Sequence, residues 1–113
     1  MYPVTVNGEC AFTKGHWHVD ETVEEVYEGQ AGSGLLMLMD HNGRTWCEKV
    51  FPGSVHHIRG NLAHRLINTG EVPMKVRAVW PPIAGHNYDA VAAQPFGFRV
   101  FREGKEIKVT EHE

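Results

Sequence analysis

The stretch "TKGHWHVDETVEEVYEG", residues 13–29, admits two local structures with different consequences for the whole chain. Read as a helix, residues 19–28 form an acidic, solvated face behind two unrelated histidines. Read as extended chain, His16 and His18 project from one face and Trp17 from the other, because side chains alternate along a strand. Composition favours the second reading. Val19, Thr22, Val23 and Val26 are β-branched, which lowers helix propensity, and Gly29 closes the segment. At most one helical turn fits there.

Outward from this stretch the same pattern repeats. Short extended pieces such as "GLLMLMD", "RTWCEKV", "SVHHI", "HRLIN", "MKVRAVW", "FGFRVF" and "EIKVT" alternate with glycine and proline signals. Asn42-Gly43 is the strongest hairpin signal among them. Regular short strands without room for crossover helices predict an all-β sandwich or small barrel, with residues 1–113 as one domain. Fourteen acidic against eleven basic residues, a net charge of -3, give no electrostatic basis for binding nucleic acid or an anionic membrane. The longest apolar run, "LLMLM" at 35–39, is far too short to span a bilayer, and the opening "MYPVTVNGEC" has no basic flank with a long apolar segment. Cys10 and Cys47 then read as reduced thiols of a cytoplasmic protein.

Two imidazoles on one strand face can enter one coordination sphere. The "VDETVEE" segment is long enough to turn back and bring Glu25 beside them, and "NLAHRLIN" offers His64, which shares a face with Leu66 and Asn68. Three imidazoles and a carboxylate form a mixed N/O shell suited to one divalent ion such as iron, nickel, zinc or manganese. Taken singly, each of these residues has an ordinary structural reading; their joint spacing carries the metal expectation. Lys14 and Arg65 are sources of positive field for a phosphate. Met37 and Met39 read as packing rather than soft ligands. "LLMLM" is expected to fill the interior on one face and to form a sheet or subunit contact on the other. His56 and His57 point to opposite faces of their strand and stay outside the ligand set.

The order His16-x-His18, Glu25, Gly32, then "PGSV" and His64-x3-Asn68, resembles the two motifs of the cupin superfamily. "TKGHWH", "EEVYEGQAGSG", "PGSV", "AHRLINTGE" and "IAGHNYDAV" are similar, in that order, to the metal-dependent cupin-type glucose-6-phosphate isomerase family of archaea, over about residues 10–110. The resemblance implies a cupin (double-stranded β-helix, jelly-roll) barrel and metal ligands at His16, His18, Glu25 and His64. It implies substrate-facing groups at Thr13, Gly15, Tyr27, Trp80, His86 and Tyr88. Trp80 stands where better-known members have a tyrosine, and the extra N-terminal segment of those isomerases is expected to be lacking here. The activity it implies is conversion of glucose 6-phosphate to fructose 6-phosphate through an enediolate. Glu25 is then the base, His86 a proton carrier or ring-opening group, and Tyr88 and Tyr27 orient hydroxyls. A homodimer is expected as well. The competing readings are a non-catalytic sugar-binding cupin and another metalloenzyme, a dioxygenase or an epimerase.

Overall fold

The computed structural model describes residues 1–80, 91 and 93–112. Its strands are β1 (Thr5–Val6), β2 (Glu9–Cys10), β3 (Glu25–Ala31), β4 (Gly34–Met39), β5 (Thr45–Val50), β6 (Val55–Ile58), β7 (Ala63–Asn68), β8 (Lys75–Val79), β9 (Phe98–Glu103) and β10 (Glu106–Glu111). The all-β expectation holds, and residues 19–24 form bends and turns that lead directly into β3. The β4–β5 hairpin turns at Asn42-Gly43, where Gly43 adopts a left-handed φ of 82° and the Asp40 carboxylate accepts the N–H groups of Asn42 and Arg44. No described helix is long and apolar enough to cross a membrane.

The closed barrel is not what forms. Every strand pairing is antiparallel, but the strands divide into three sheets, ordered β1-β2-β9-β10, β6-β3-β8 and β5-β4-β7, and among the described residues none closes into a barrel. The physical reason is that closure needs continuous ladders between the edges of neighbouring sheets at a fixed shear. Alternation and turn residues specify hairpins and faces; they do not specify which edges meet.

One sheet lies at the centre of the packing. On β4, Leu36 and Leu38 join Tyr27 of β3, Ile58 of β6 and Val50 in one buried cluster. Met37 and Met39, on the opposite face of the same strand, join Cys10, Ile67, Phe96 and Val100 in another. The "LLMLM" run therefore does bury both faces, but the second face is covered by the chain's own four-stranded sheet and Phe96. Met37 and Met39 are packing residues, as expected. Cys10 and Cys47 are free thiols.

A polar link crosses between the two three-stranded sheets. His56, buried on β6, donates Nδ1–H to Glu48 Oε1 of β5 at 2.8 Å, and its Nε2 lies 2.9 Å from Ser54 Oγ. Ser54 in turn accepts the Phe51 N–H at 3.0 Å. Removing the ring deletes the contacts to Glu48 and Ser54 and opens a cavity in the packing, while Ser54 Oγ keeps its bonds to Phe51. His56→Ala is accordingly expected to cost about 2–4 kcal/mol, read as a lower urea midpoint at an unchanged slope. An unchanged midpoint would show that this link contributes nothing.

Candidate metal centre

Residues 12–18 form a strap alongside β7, and its local geometry decides what the histidines face. Phe12 bridges Ile67 and His16 bridges His64, so four steps along the strap match three along β7. Backbone bonds fix both ends: the Thr13 N–H donates to the Leu66 carbonyl at 2.8 Å, and His16 and His64 exchange a pair at 3.2 Å. The extra residue is absorbed as a bulge at Gly15, whose φ of 81° is in the left-handed region. A Cβ at Gly15 would lie 2.7 Å from the Phe96 ring, so the position needs glycine on two counts. The bulge resets the alternation, which is why Phe12 and Lys14 line one cavity while His16 and His18 turn toward the other side of the sheet.

There the four expected residues meet. One ligand atom from each of His16, His18, Glu25 and His64 lies within 4.8 Å of the others, and His18, Glu25 and His64 are buried. The His16 and His18 rings stack 6.0 Å apart, and His64 meets His16 edge-on at 4.4 Å. Trp17, between the two histidines, points into the opposite core and stacks on His41 of the β4–β5 turn at 4.0 Å. The His-x-His alternation is thus as read from the sequence.

The donor chemistry fits a cation. A backbone carbonyl only accepts, so the 2.7 Å contact between His18 Nδ1 and Val23 O places the proton on Nδ1. The 3.4 Å contact of His64 Nδ1 with Leu62 O does the same for His64. Both neutral rings then present an Nε2 lone pair to one carboxylate oxygen, Glu25 Oε1, at 3.1 and 2.7 Å. The His64 Nε2 atom is buried and off the line of a hydrogen bond despite that distance. Lone pairs facing lone pairs are satisfied by a positive charge between them, and the carbonyl partners on Nδ1 are the orienting contacts usual for metal-binding imidazoles.

The other expected site residues divide. Tyr27 follows Glu25 by two on the inner face of β3, and its ring meets His64 edge-on at 5.7 Å. Thr13 is exposed, with its hydroxyl oxygen accepting the Leu66 N–H at 3.0 Å, and Gly15 is buried beneath Phe96. Trp80 is half-exposed and stands one residue beyond the Val26–Val79 pair, across from Glu25. His86 and Tyr88 lie outside the described residues. Arg65, expected from its charge to lend positive field to the same site, faces away from it: successive residues on β7 put His64 toward the His/Glu cluster and Arg65 against Phe12 and Phe96 on the other side. What the sequence reading missed is the bulge, and its one signal was a glycine directly before a histidine pair.

A family model described as glucose-6-phosphate isomerase (GPI) matches residues 1–111. The glucose-6-phosphate isomerase of Pyrococcus abyssi is 36% identical over 112 residues, which is 99% of this chain and 59% of that protein. That of Thermococcus onnurineus is 35% identical over the same share. The chain therefore spans about 59% of the length of these curated relatives. Among solved structures, a variant of Bacillus subtilis oxalate decarboxylase superposes with a TM-score of 0.59 at 15% identity, over 100% of this chain and 32% of that one. That likeness concerns the fold alone.

Proposed function

This chain belongs to the glucose-6-phosphate isomerase family, and from that premise we propose that it interconverts a phosphorylated aldose and its ketose, glucose 6-phosphate and fructose 6-phosphate, with one divalent metal ion held by His16, His18, Glu25 and His64. The observation that carries the reading is the convergence of three imidazoles and one carboxylate on a buried point in a member of this family. Iron, nickel, zinc and manganese all suit that donor set. A divalent ion bound there supplies positive charge that favours deprotonation of adjacent sugar oxygens.

The chain's own residues account for the proton movement. Glu25 takes the proton from the carbon next to the carbonyl and returns it to the neighbouring carbon, passing through an enediolate of the sugar. Both imidazole contacts fall on Oε1, which leaves Oε2 for proton transfer. Tyr27 orients hydroxyls at the inner wall, while Thr13, the Gly15 backbone and Trp80 bind substrate. His86 moves the proton between the two sugar oxygens or assists ring opening, and Tyr88 orients hydroxyls, roles that rest on the resemblance of "IAGHNYDAV". We place the protein in the cytoplasm, in keeping with its free thiols. A homodimer belongs to the same proposal, supported by the exposed Val26, Val55 and Val79 on the β6-β3-β8 sheet. "LLMLM" lends it no support, because both of its faces are buried within the chain.

The test is direct isomer analysis with iron-, nickel-, zinc- and manganese-loaded protein over a panel of sugar phosphates. Interconversion of glucose 6-phosphate and fructose 6-phosphate is expected with at least one metal. No product with any of them, in folded and metal-bound protein, would reject the isomerase and favour a sugar-binding role without turnover.

A further inference from the structure

Across the β5-β4-β7 sheet from the metal cluster, a cavity of about 390 Å³ is lined by Glu9, Phe12, Lys14, Arg65, Phe96 and Arg99 among others, with His112 at its edge. Among the described lining residues, three permanent cations accompany one carboxylate. That carboxylate is already committed: Arg99 donates Nε–H to Glu9 Oε2 at 3.0 Å and Nη2–H to Oε1 at 2.7 Å, a bidentate pair. The hydrogen bonds from Arg99 hold the Glu9 carboxyl below its ordinary value, with smaller help from Arg65 and His112.

Arg65 is the cation left over. Its guanidinium carbon lies 4.2 Å from the Phe12 ring centre and 4.6 Å from that of Phe96, so the planar group is held between two aromatic rings. Nη2 donates to the Lys14 carbonyl at 2.7 Å, Nε is buried without a hydrogen-bond partner, and among the described residues Arg65 enters no ion pair. A cation drawn into an apolar setting, with Glu9, the carboxylate among the described lining residues, paired to Arg99, is stabilised by an added anion. A guanidinium fixed in plane matches the paired oxygens of a carboxylate or phosphate, while Phe12, Phe96, Val91 and Pro95 offer apolar walls.

We propose that this cavity binds a small organic anion, a phosphate or carboxylate group carried on an apolar body, at a site separate from the metal cavity. Arg65 and Lys14 take the charged group and the two phenylalanines take the body. The site needs no metal, since His64 and Arg65 face opposite sides of the sheet, so it stands or falls apart from the isomerase reading.

Phenyl phosphate, benzoate and inorganic phosphate are titrated into the metal-loaded chain and into the metal-free chain, following backbone amide and arginine Nε–H signals by NMR. Saturable shifts at Lys14, Arg65, Phe96 and Arg99 are expected with at least one aromatic anion, equally in both forms and more strongly than with inorganic phosphate. Comparing phenyl phosphate with benzoate identifies the preferred charged group. Arg65→Gln and Lys14→Gln are each expected to weaken binding about tenfold, the loss of one charge-assisted contact, with Arg65→Lys in between. Should Arg65→Gln fail to fold, Lys14→Gln at the exposed rim and Arg65→Lys carry the comparison. No saturable shift with either aromatic anion, undiminished binding in folded variants, or shifts confined to the neighbourhood of His16 and His18 would overturn the proposal and leave Arg65 as a packing residue.

Discussion

His18→Ala protein is expected to bind divalent metal at least about 100-fold more weakly than wild type, more than the loss that follows removal of a mere orienting partner. His18 contributes twice. Its Nε2 faces Glu25 and its Nδ1 is fixed by the Val23 carbonyl, so the ring enters the site already oriented. Alanine deletes the donor, and water or a distorted shell must replace it. The measurement is metal content after dialysis against a chelator of graded strength, with His41→Ala as a comparison. His41 is a half-exposed imidazole stacked on the outward face of Trp17, not part of the cluster. Equal retention in wild type and His18→Ala would remove His18 from the ligand set.

The second large effect is expected at a residue with no side chain. Gly15→Ala forces a Cβ into a left-handed backbone position and to within 2.7 Å of Phe96, with Arg65 Cβ 3.2 Å away. The conformational term alone is about 1–2 kcal/mol, and overpacking adds about 1–3 kcal/mol. The sum predicts a substantial fall in the urea midpoint, together with weaker metal binding where the strap relaxes by shifting His16 and His18. Pairing it with Phe96→Leu separates the two terms: relief of the clash restores part of the stability and leaves the backbone cost. A Gly15→Ala protein with wild-type stability and metal content would show that the bulge is not what orients the histidines.

The site was more legible in the sequence than the architecture, for a physical reason. Alternation along a strand is a local property, so His16 and His18 on one face with Trp17 on the other could be read from three letters, and Glu25 with Tyr27 likewise. The bulge at Gly15 was barely legible, because its one signal, a glycine directly before the histidine pair, fits a strap that keeps its register equally well. Arg65 shows the converse. Its neighbour His64 was read toward the metal, and alternation alone places Arg65 on the far face, yet its charge invited assignment to a phosphate at the same site. His56 faces opposite to His57, as strand alternation requires, but its bonds to Glu48 and Ser54 depend on which sheets stack. The barrel failed for the same reason: edge-to-edge pairing is set by tertiary contacts spread over the chain.

The placement of β4, with Leu36 and Leu38 in one core and Met37 and Met39 in the other, bears on cooperativity. Losing β4 would disrupt both cores at once, so their stabilities are coupled through this strand. Free energy gained when a ligand binds on either side of the sheet is then shared by both through mass action. Occupation of the cavity beside Arg65 stabilises the histidine side against unfolding, and occupation of the histidine side does the same for Arg65, without any change of shape passing between them.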